Sequence, residues 1–330
     1  MSCRAAGRRP ALLLAVSVLA GVAANAVTGG LAGAFELPVD TERSVVSVLP
    51  VWPDRPQGGP DVPPGLAPEG SGVVYAAGGW IVTAHHVVET ALSIAVRLAD
   101  GRYLPAELVA ADPLTDVALL RVEADLPPIQ AAAPPRLGQP VCALGNVYGL
   151  GLAQSCGVVS ALHRSNGRFN PIEDFVQTDA AINPGSSGGA LLDRGGRLVG
   201  LVSAIFAGGG DGNIGVNFAL SQPLLARVAD DLIAHGAVRP SDPGLSAVSA
   251  DPGEPPHREA VRVTAVAPGS AAEAAGIRAG DLLLDWDGRP LRAKRDLAAA
   301  AYLLRPGDSL RVGLLRDGRH RAVELAIPED

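Results

Sequence analysis

The stretch Asp179-Ala-Ala-Ile-Asn-Pro-Gly-Ser-Ser-Gly-Gly-Ala190 decides how this chain is read. It sets Ser187 in a Gly-x-Ser-Gly-Gly turn. A serine hydroxyl is a weak nucleophile until a base takes its proton and nearby donors hold the oxyanion that forms. Glycines 185, 188 and 189 allow the sharp turn that aims amide N–H groups at one point. Two upstream segments carry the other groups such chemistry needs. Thr83-Ala-His-His-Val-Val88 supplies a histidine pair, and Asp112-Pro-Leu-Thr-Asp-Val-Ala-Leu-Leu120 supplies two aspartates.

The 330 residues suffice for about two domains. An apolar content of 48% provides buried cores, while 40 glycines and 28 prolines favour turns and short strands over long helices. The net charge is −7, Lys294 is the one lysine, and no basic cluster stands out in the body. This argues against nucleic acid as a partner and reads as solubility. Arg4, Arg8 and Arg9 precede an uncharged apolar run, and Ala24-Asn-Ala26 and Ala32-Gly-Ala34 both fit a small-x-small cleavage site. Residues 1–34 therefore read as a secretory signal. The rival reading is an uncleaved inner-membrane anchor over residues 11–35, a stretch long enough to span a bilayer. Either places the body outside the cytoplasm, in the periplasm or an equivalent space. There Cys142 and Cys156, flanking a hairpin-like Gly145–Gly151 segment, read equally as a cross-strand disulfide or as two buried thiols.

From Gly72 onward, short apolar runs recur between turn signals at 73–75, 80–83, 95–98, 117–122, 140–144, 155–162, 197–204 and 215–220. With a first strand near 44–51, this spacing suggests a mainly β sandwich or barrel over 35–238, and two six-stranded barrels would suit that length. Residues 52–70 read as a long surface loop and 223–235 as a closing helix. Residues 239–259 read as a linker and the start of a second, small α+β module whose core spans 260–330.

In these motifs and their order the chain resembles the HtrA/Deg family of trypsin-like serine proteases with one C-terminal PDZ domain. The resemblance rests on Thr-x-x-His-Val-Val at 83–88, Thr-Asp-Val-Ala-Leu-Leu at 115–120 and Gln177-Thr-Asp-Ala-Ala-Ile-Asn-Pro-Gly-Ser-Ser-Gly-Gly189. Further along, Asn213-Ile-Gly-Val-Asn-Phe-Ala219 and Val266-Ala-Pro-Gly-Ser-Ala-Ala272 extend it. The order His86, Asp116, Ser187 is that of the chymotrypsin-type triad. The resemblance implies a chymotrypsin-like double barrel and a PDZ domain. It implies His86 as general base, Asp116 as its orienter, Ser187 as nucleophile, and an oxyanion hole at Gly185, Ser186 and Ser187. Serine at 186 stands where the family usually has asparagine. His85 is set aside on family spacing, and because neighbours on an extended segment face opposite ways. Asp112, followed by Pro113, reads as a surface turn residue.

The implied specificity pocket is Ala181, Ile182, Ile205, Ile214 and Gly215. With no acid at 181, cleavage after small or medium aliphatic residues is expected. Asn217 departs from the glycine or small apolar residue of many relatives. In the PDZ module the candidate peptide-binding loop is Gly244-Leu-Ser-Ala-Val248, with Leu245, Ser246 and Ala247 as contacts and Ser246 where glycine is expected. The implied partners are unfolded or damaged proteins, C-terminal peptides and a homotrimer, with Phe35 and Trp52 as candidate trimer contacts. The loops 52–70 and 208–212 are candidate order–disorder switches. No cofactor is implied. His163, His235, His257 and His320 are scattered without ligand spacing, so no metal is expected.

Overall fold

The computed structural model describes residues 36–38, 40–53, 69–205, 214–250 and 259–329, excluding the side chains of 204 and 205. Residues 1–34, Phe35, residues 54–68 of the candidate switch loop 52–70, the whole of the loop 208–212 and the Ile205 side chain lie outside what it describes. Among the described residues no helix is long and apolar enough to cross a membrane.

Strands β1 (Val45–Val51), β2 (Gly70–Ala76), β3 (Trp80–Ala84), β4 (Ser93–Arg97), β5 (Tyr103–Asp112) and β6 (Val117–Arg121) close into a barrel in the order β1-β2-β3-β6-β5-β4. Strands β7 (Pro140–Asn146), β8 (Leu152–Arg164), β9 (Phe175–Thr178), β10 (Ala190–Leu192), β11 (Leu198–Ile205) and β12 (Asn217–Ser221) close into a second, β10-β11-β12-β9-β8-β7. Closure leaves neither sheet an open edge. Strand alternation then serves two cores at once. Val46, Val48, Val74, Ala118 and Leu120 fill the first barrel, while their chain neighbours Val45, Val73, Val117 and Leu119 join a cluster shared with Leu144, Phe175 and Leu220 of the second. The two barrels are thus joined by a continuous apolar junction, and the Ser-bearing turn lies beside it.

Helix α1 is the single turn His85–Val88. Helix α2 (Gln222–His235) starts at Ser221, whose hydroxyl accepts the Leu224 N–H, and ends at Gly236 with φ 72°. Its face of Leu224, Leu225, Val228, Ala229 and Leu232 packs on the junction cluster.

The C-terminal sheet runs β13 (Leu245–Ser249), β14 (Val261–Val266), β15 (Leu282–Trp286), β17 (Ser309–Arg316), β18 (Arg319–Ala326), with β16 (Arg289–Pro290) on β15. Helices α3 (Ala271–Ala274) and α4 (Lys294–Tyr302) accompany it. Strand β13 lies inside the stretch read as linker and module start, and it pairs with β14 from Leu245↔Val266 onward, so it belongs to this sheet. Arg316 grips Asp281 with two hydrogen bonds of 2.6 Å and also reaches the Gly276 carbonyl. A bidentate pair of this kind is a strong charge-assisted contact.

This sheet docks on the barrels through buried polar contacts. Tyr302 O–H donates to Asp112 at 3.0 Å, and the Arg289 guanidinium lies 2.8 Å from Asp174. Asp112 is therefore not the surface residue expected from Pro113; it is 6% exposed and also accepts from Thr115 and Leu114. His163 is not isolated either: its Nδ1 lies 3.1 Å from Asp174, which also accepts from Ser221 Oγ. Burial alone would raise the Asp174 pKa, but these bonds and the Arg289 charge hold it below the usual carboxylate range. Among the described residues no group of His, Cys, Asp or Glu is placed to hold a metal.

Cys142 of β7 and Cys156 of β8 face each other in register and are joined as a disulfide. Closing a loop of about 15 residues restricts the unfolded chain by about 3 kcal/mol. Replacing both cysteines with alanine is expected to lower the unfolding free energy by about 2–3 kcal/mol, read as a lower denaturant midpoint at unchanged slope.

Candidate active site

Three segments meet at the barrel junction: the α1 turn, the residue before β6, and the turn 183–189. Asp116 sits at φ 60°, a left-handed conformation that aspartate tolerates better than most residues. That backbone lets one residue grip the α1 turn repeatedly. Its carbonyl accepts the His85 N–H at 3.0 Å and its Oδ1 accepts the His86 N–H at 2.8 Å. Its Oδ2 lies 2.7 Å from His86 Nδ1. First-turn N–H groups have no intrahelical partner, so Asp116 satisfies them while fixing the ring.

His85 and His86 are thus neighbours in a helical turn, not on an extended segment. Opposite faces of an extended segment therefore do not separate the two rings; the ring of His86 is the one that Asp116 holds. The Asp116 side chain is 11% exposed and that of His86 50%. Burial alone would lower the imidazole pKa. The hydrogen bond and charge of Asp116, with Glu89 behind them, outweigh it and hold the pKa above the ordinary histidine value. Ser203 Oγ also approaches Asp116 Oδ2, at 3.5 Å. Sequence reading missed Ser203, because a serine inside the apolar run of β11 carries no pattern.

The Ser187 turn is pinned plane by plane. The Pro184 carbonyl accepts Tyr148 N–H at 2.8 Å, and the Ser186 carbonyl accepts Gly189 N–H at 2.9 Å. A trans peptide sets its N–H opposite its C=O. These two bonds therefore fix the directions of the Gly185 and Ser187 N–H groups. Among the described residues, neither N–H donates within the chain. Gly185 has φ 90°, and a Cβ there would lie 2.2 Å from the Asn146 carbonyl. Gly188 has φ 83°, and a Cβ there would lie 2.1 Å from the Ser71 carbonyl. Ser186 is buried, and its N–H bonds back to the Asn183 carbonyl. The Ser187 hydroxyl donates to the Ser203 carbonyl at 3.4 Å, and no hydrogen bond joins it to His86 in this conformation.

The expected pocket residues separate. Ala181 and Ile214 are exposed and Gly215 takes φ 79°. Ile182 is 2% exposed and packs inside the second barrel with Val159, Val176 and Leu191, so its side chain presents almost no surface. Asn217 is buried, and its amide donates to the Ala180 carbonyl at 2.8 Å, bracing the chain that carries Ala181. Trp52, a candidate trimer contact, donates its indole N–H to the Val87 carbonyl of its own chain.

In the C-terminal sheet, Leu245, Ser246 and Ala247 line a groove of about 260 Å³ between β13 and α4, opposite Lys294, Leu297, Ala298 and Ala301. Ser246 is exposed there, and Gly244 turns into the strand at φ 78°, where a Cβ would lie 2.2 Å from Ser270.

A family model described as a trypsin-like peptidase domain matches residues 70–201, and one described as a PDZ domain matches 212–327. The periplasmic pH-dependent serine endoprotease DegQ of Escherichia coli K12 is 34% identical over 320 residues, 94% of this chain and 68% of its own length. The periplasmic serine endoprotease DegP of the same strain is 37% identical over 79% of this chain, which spans only 57% of DegP. Among solved structures, the HtrA-type protease AlgW with tripeptide is 30% identical with a TM-score of 0.64, covering 88% of this chain and 94% of that one. A serine endoprotease from Yersinia pestis is 32% identical with a TM-score of 0.53, covering 89% and 100%. With the double barrel, the His–Asp pair and the docked small sheet, these likenesses establish that the chain belongs to the HtrA family of trypsin-like serine endoproteases carrying a PDZ domain.

Proposed function

We propose that this chain is an extracytoplasmic endopeptidase that cuts unfolded or damaged proteins by an acyl-enzyme route. The observation that carries the reading is the Asp116–His86 pair at 2.7 Å beside a turn whose Gly185 and Ser187 N–H groups are oriented and unpaired. His86 takes the Ser187 proton as the hydroxyl attacks the scissile carbonyl. The two N–H groups hold the resulting oxyanion, and His86 returns the proton to the leaving amine. This step requires the hydroxyl to turn from the Ser203 carbonyl toward His86. Nucleophile, base and donors are all protein groups, so this chemistry requires no cofactor.

The absence of an acid at Ala181 and the exposed Ile214 support cleavage after Val, Ala, Ile or Leu. The groove beside β13 supports capture of an extended peptide by strand addition. The periplasmic location in the names of DegQ and DegP, together with the basic and apolar start of this chain, supports placement outside the cytoplasm. Homotrimeric assembly is carried over from the family.

The test is digestion of an unfolded, casein-like protein, with the product ends mapped by mass spectrometry. New C-termini at small and medium aliphatic residues are expected; a majority at Arg or Lys would sink the pocket assignment. A second reading, a chaperone that holds unfolded chains and cuts slowly, draws on the Ser187–Ser203 bond. It requires that Ser187→Ala protect a client from aggregation as well as the parent does while the parent leaves it uncut.

A further inference from the structure

Ser71 lies at the start of β2, fully buried, in the first barrel. All its polar groups point across the junction or along it to the catalytic segments. Its N–H donates to the Ser187 carbonyl at 2.8 Å, and its own carbonyl accepts Thr83 Oγ1 at 2.7 Å. Its hydroxyl donates to the Gly185 carbonyl at 2.7 Å and accepts the Asn146 N–H at 2.8 Å. Because the Asn146 N–H occupies the acceptor side, the hydroxyl hydrogen is directed at Gly185. Gly145 leaves the space this needs: a Cβ there would lie 2.8 Å from Ser71 Oγ.

The consequence concerns the peptide planes around the two unpaired N–H groups. Planes 184–185 and 186–187 are held by backbone bonds from Tyr148 and Gly189. Plane 185–186 between them is held by Ser186 N–H at one end and by Ser71 Oγ at the other. Glycine at 185 offers little conformational resistance of its own. Ser71 therefore touches both ends of the donor segment, Gly185 through its side chain and Ser187 through its backbone. Asn146 is itself anchored. Its Oδ1 accepts the Gly151 N–H at 2.9 Å, and its amide donates to the Glu69 carboxylate, which is nearly buried.

We propose that the Ser71 hydroxyl is a positioning residue that sets the spacing and aim of the oxyanion-binding N–H groups of Gly185 and Ser187. It acts through the Gly185 carbonyl and touches no substrate atom. Losing an oxyanion donor outright costs about 10²–10³ in kcat, so misaiming one costs less.

This inference rests on Ser187 being the nucleophile, and the experiment separates the two. The parent, Ser71→Ala and Ser71→Cys are compared in kcat and KM on a short peptide amide, and in the rate of Ser187 labelling by a fluorophosphonate, whose adduct carries a tetrahedral oxyanion mimic. For Ser71→Ala we expect kcat and labelling rate to fall together by about 10- to 100-fold, with KM within about twofold of the parent and the acid limb of the pH profile unmoved. Cysteine retains a weak donor and should fall between; it decides the matter if the alanine variant does not fold. A kcat within threefold of the parent in the folded variant overturns the proposal, as does a loss carried by KM alone. A parent that fluorophosphonate does not label at Ser187 overturns the nucleophile assignment itself.

Discussion

Ser187→Ala is expected to abolish turnover of an unfolded protein, with kcat lower by about 10⁶, while the fold is kept. Alanine removes only Oγ, whose single hydrogen bond among the described residues is the 3.4 Å contact to the Ser203 carbonyl, so no strong bond is lost. The Ser187 backbone bonds, to Ser71 N–H and through its own plane to Gly189, do not involve the side chain. The thermal unfolding midpoint should therefore stay within a few degrees of the parent. His86→Ala should cost about as much in kcat as Ser187→Ala, and the double variant scarcely more than either, because nucleophile and base act as a unit. Additive losses would mean that the two residues serve separate steps. Residual cleavage of about 10³–10⁴ over water is still expected, supplied by the N–H groups of Gly185 and Ser187 and by substrate binding. An enzyme retaining more than a tenth of parental kcat after Ser187→Ala would place the nucleophile elsewhere.

How much of this was legible beforehand depends on the kind of residue. The Ser187 turn, the two upstream motifs and helix α2 have local signals: glycines at fixed offsets, a capping serine before Gln222-Pro223, and apolar residues at helical spacing. Strands β9 and β10 are only four and three residues long, too short for periodicity to register. Strand β5 contains Pro105 and is largely exposed, so neither propensity nor alternation marks it. Strand β13 was hidden by the Pro-, Asp- and Ser-rich sequence on either side of it; its pairing with β14 is a tertiary fact.

The same division runs through the site. Family spacing points to His86 over His85, whereas the structure gives the cause: one left-handed aspartate grips successive N–H groups and one ring. Asp112, Asp174, Ser203 and Ser71 owe their roles to partners distant in the chain. Tyr302 is 190 residues from Asp112, and Gly185 is 114 from Ser71. A lone buried polar residue in an apolar strand announces only that it needs a partner. Which partner it finds is decided by how the barrels and the small sheet pack.

Asp116→Asn is the second large effect, and its sign in pH is fixed by the site. His86 acts as a base only when neutral. Its pKa is held above the ordinary value of about 6.5 because Asp116 favours the imidazolium more than burial disfavours it. The parent kcat/KM should therefore fall as pH drops through a midpoint above that of free histidine. Asparagine keeps the shape but removes the charge, leaving burial to dominate, so the acid limb should move to lower pH. Its amide can also present N–H to Nδ1, favouring the tautomer whose Nε2 carries the proton and cannot accept one from Ser187. On the alkaline plateau kcat should be lower by about 10⁴ for that reason. Two outcomes would defeat the assignment. One is a plateau within tenfold of the parent, which would mean that the carboxylate does not fix the ring. The other is an acid limb that stays in place, which would mean that the titration seen in the parent belongs to a group other than His86.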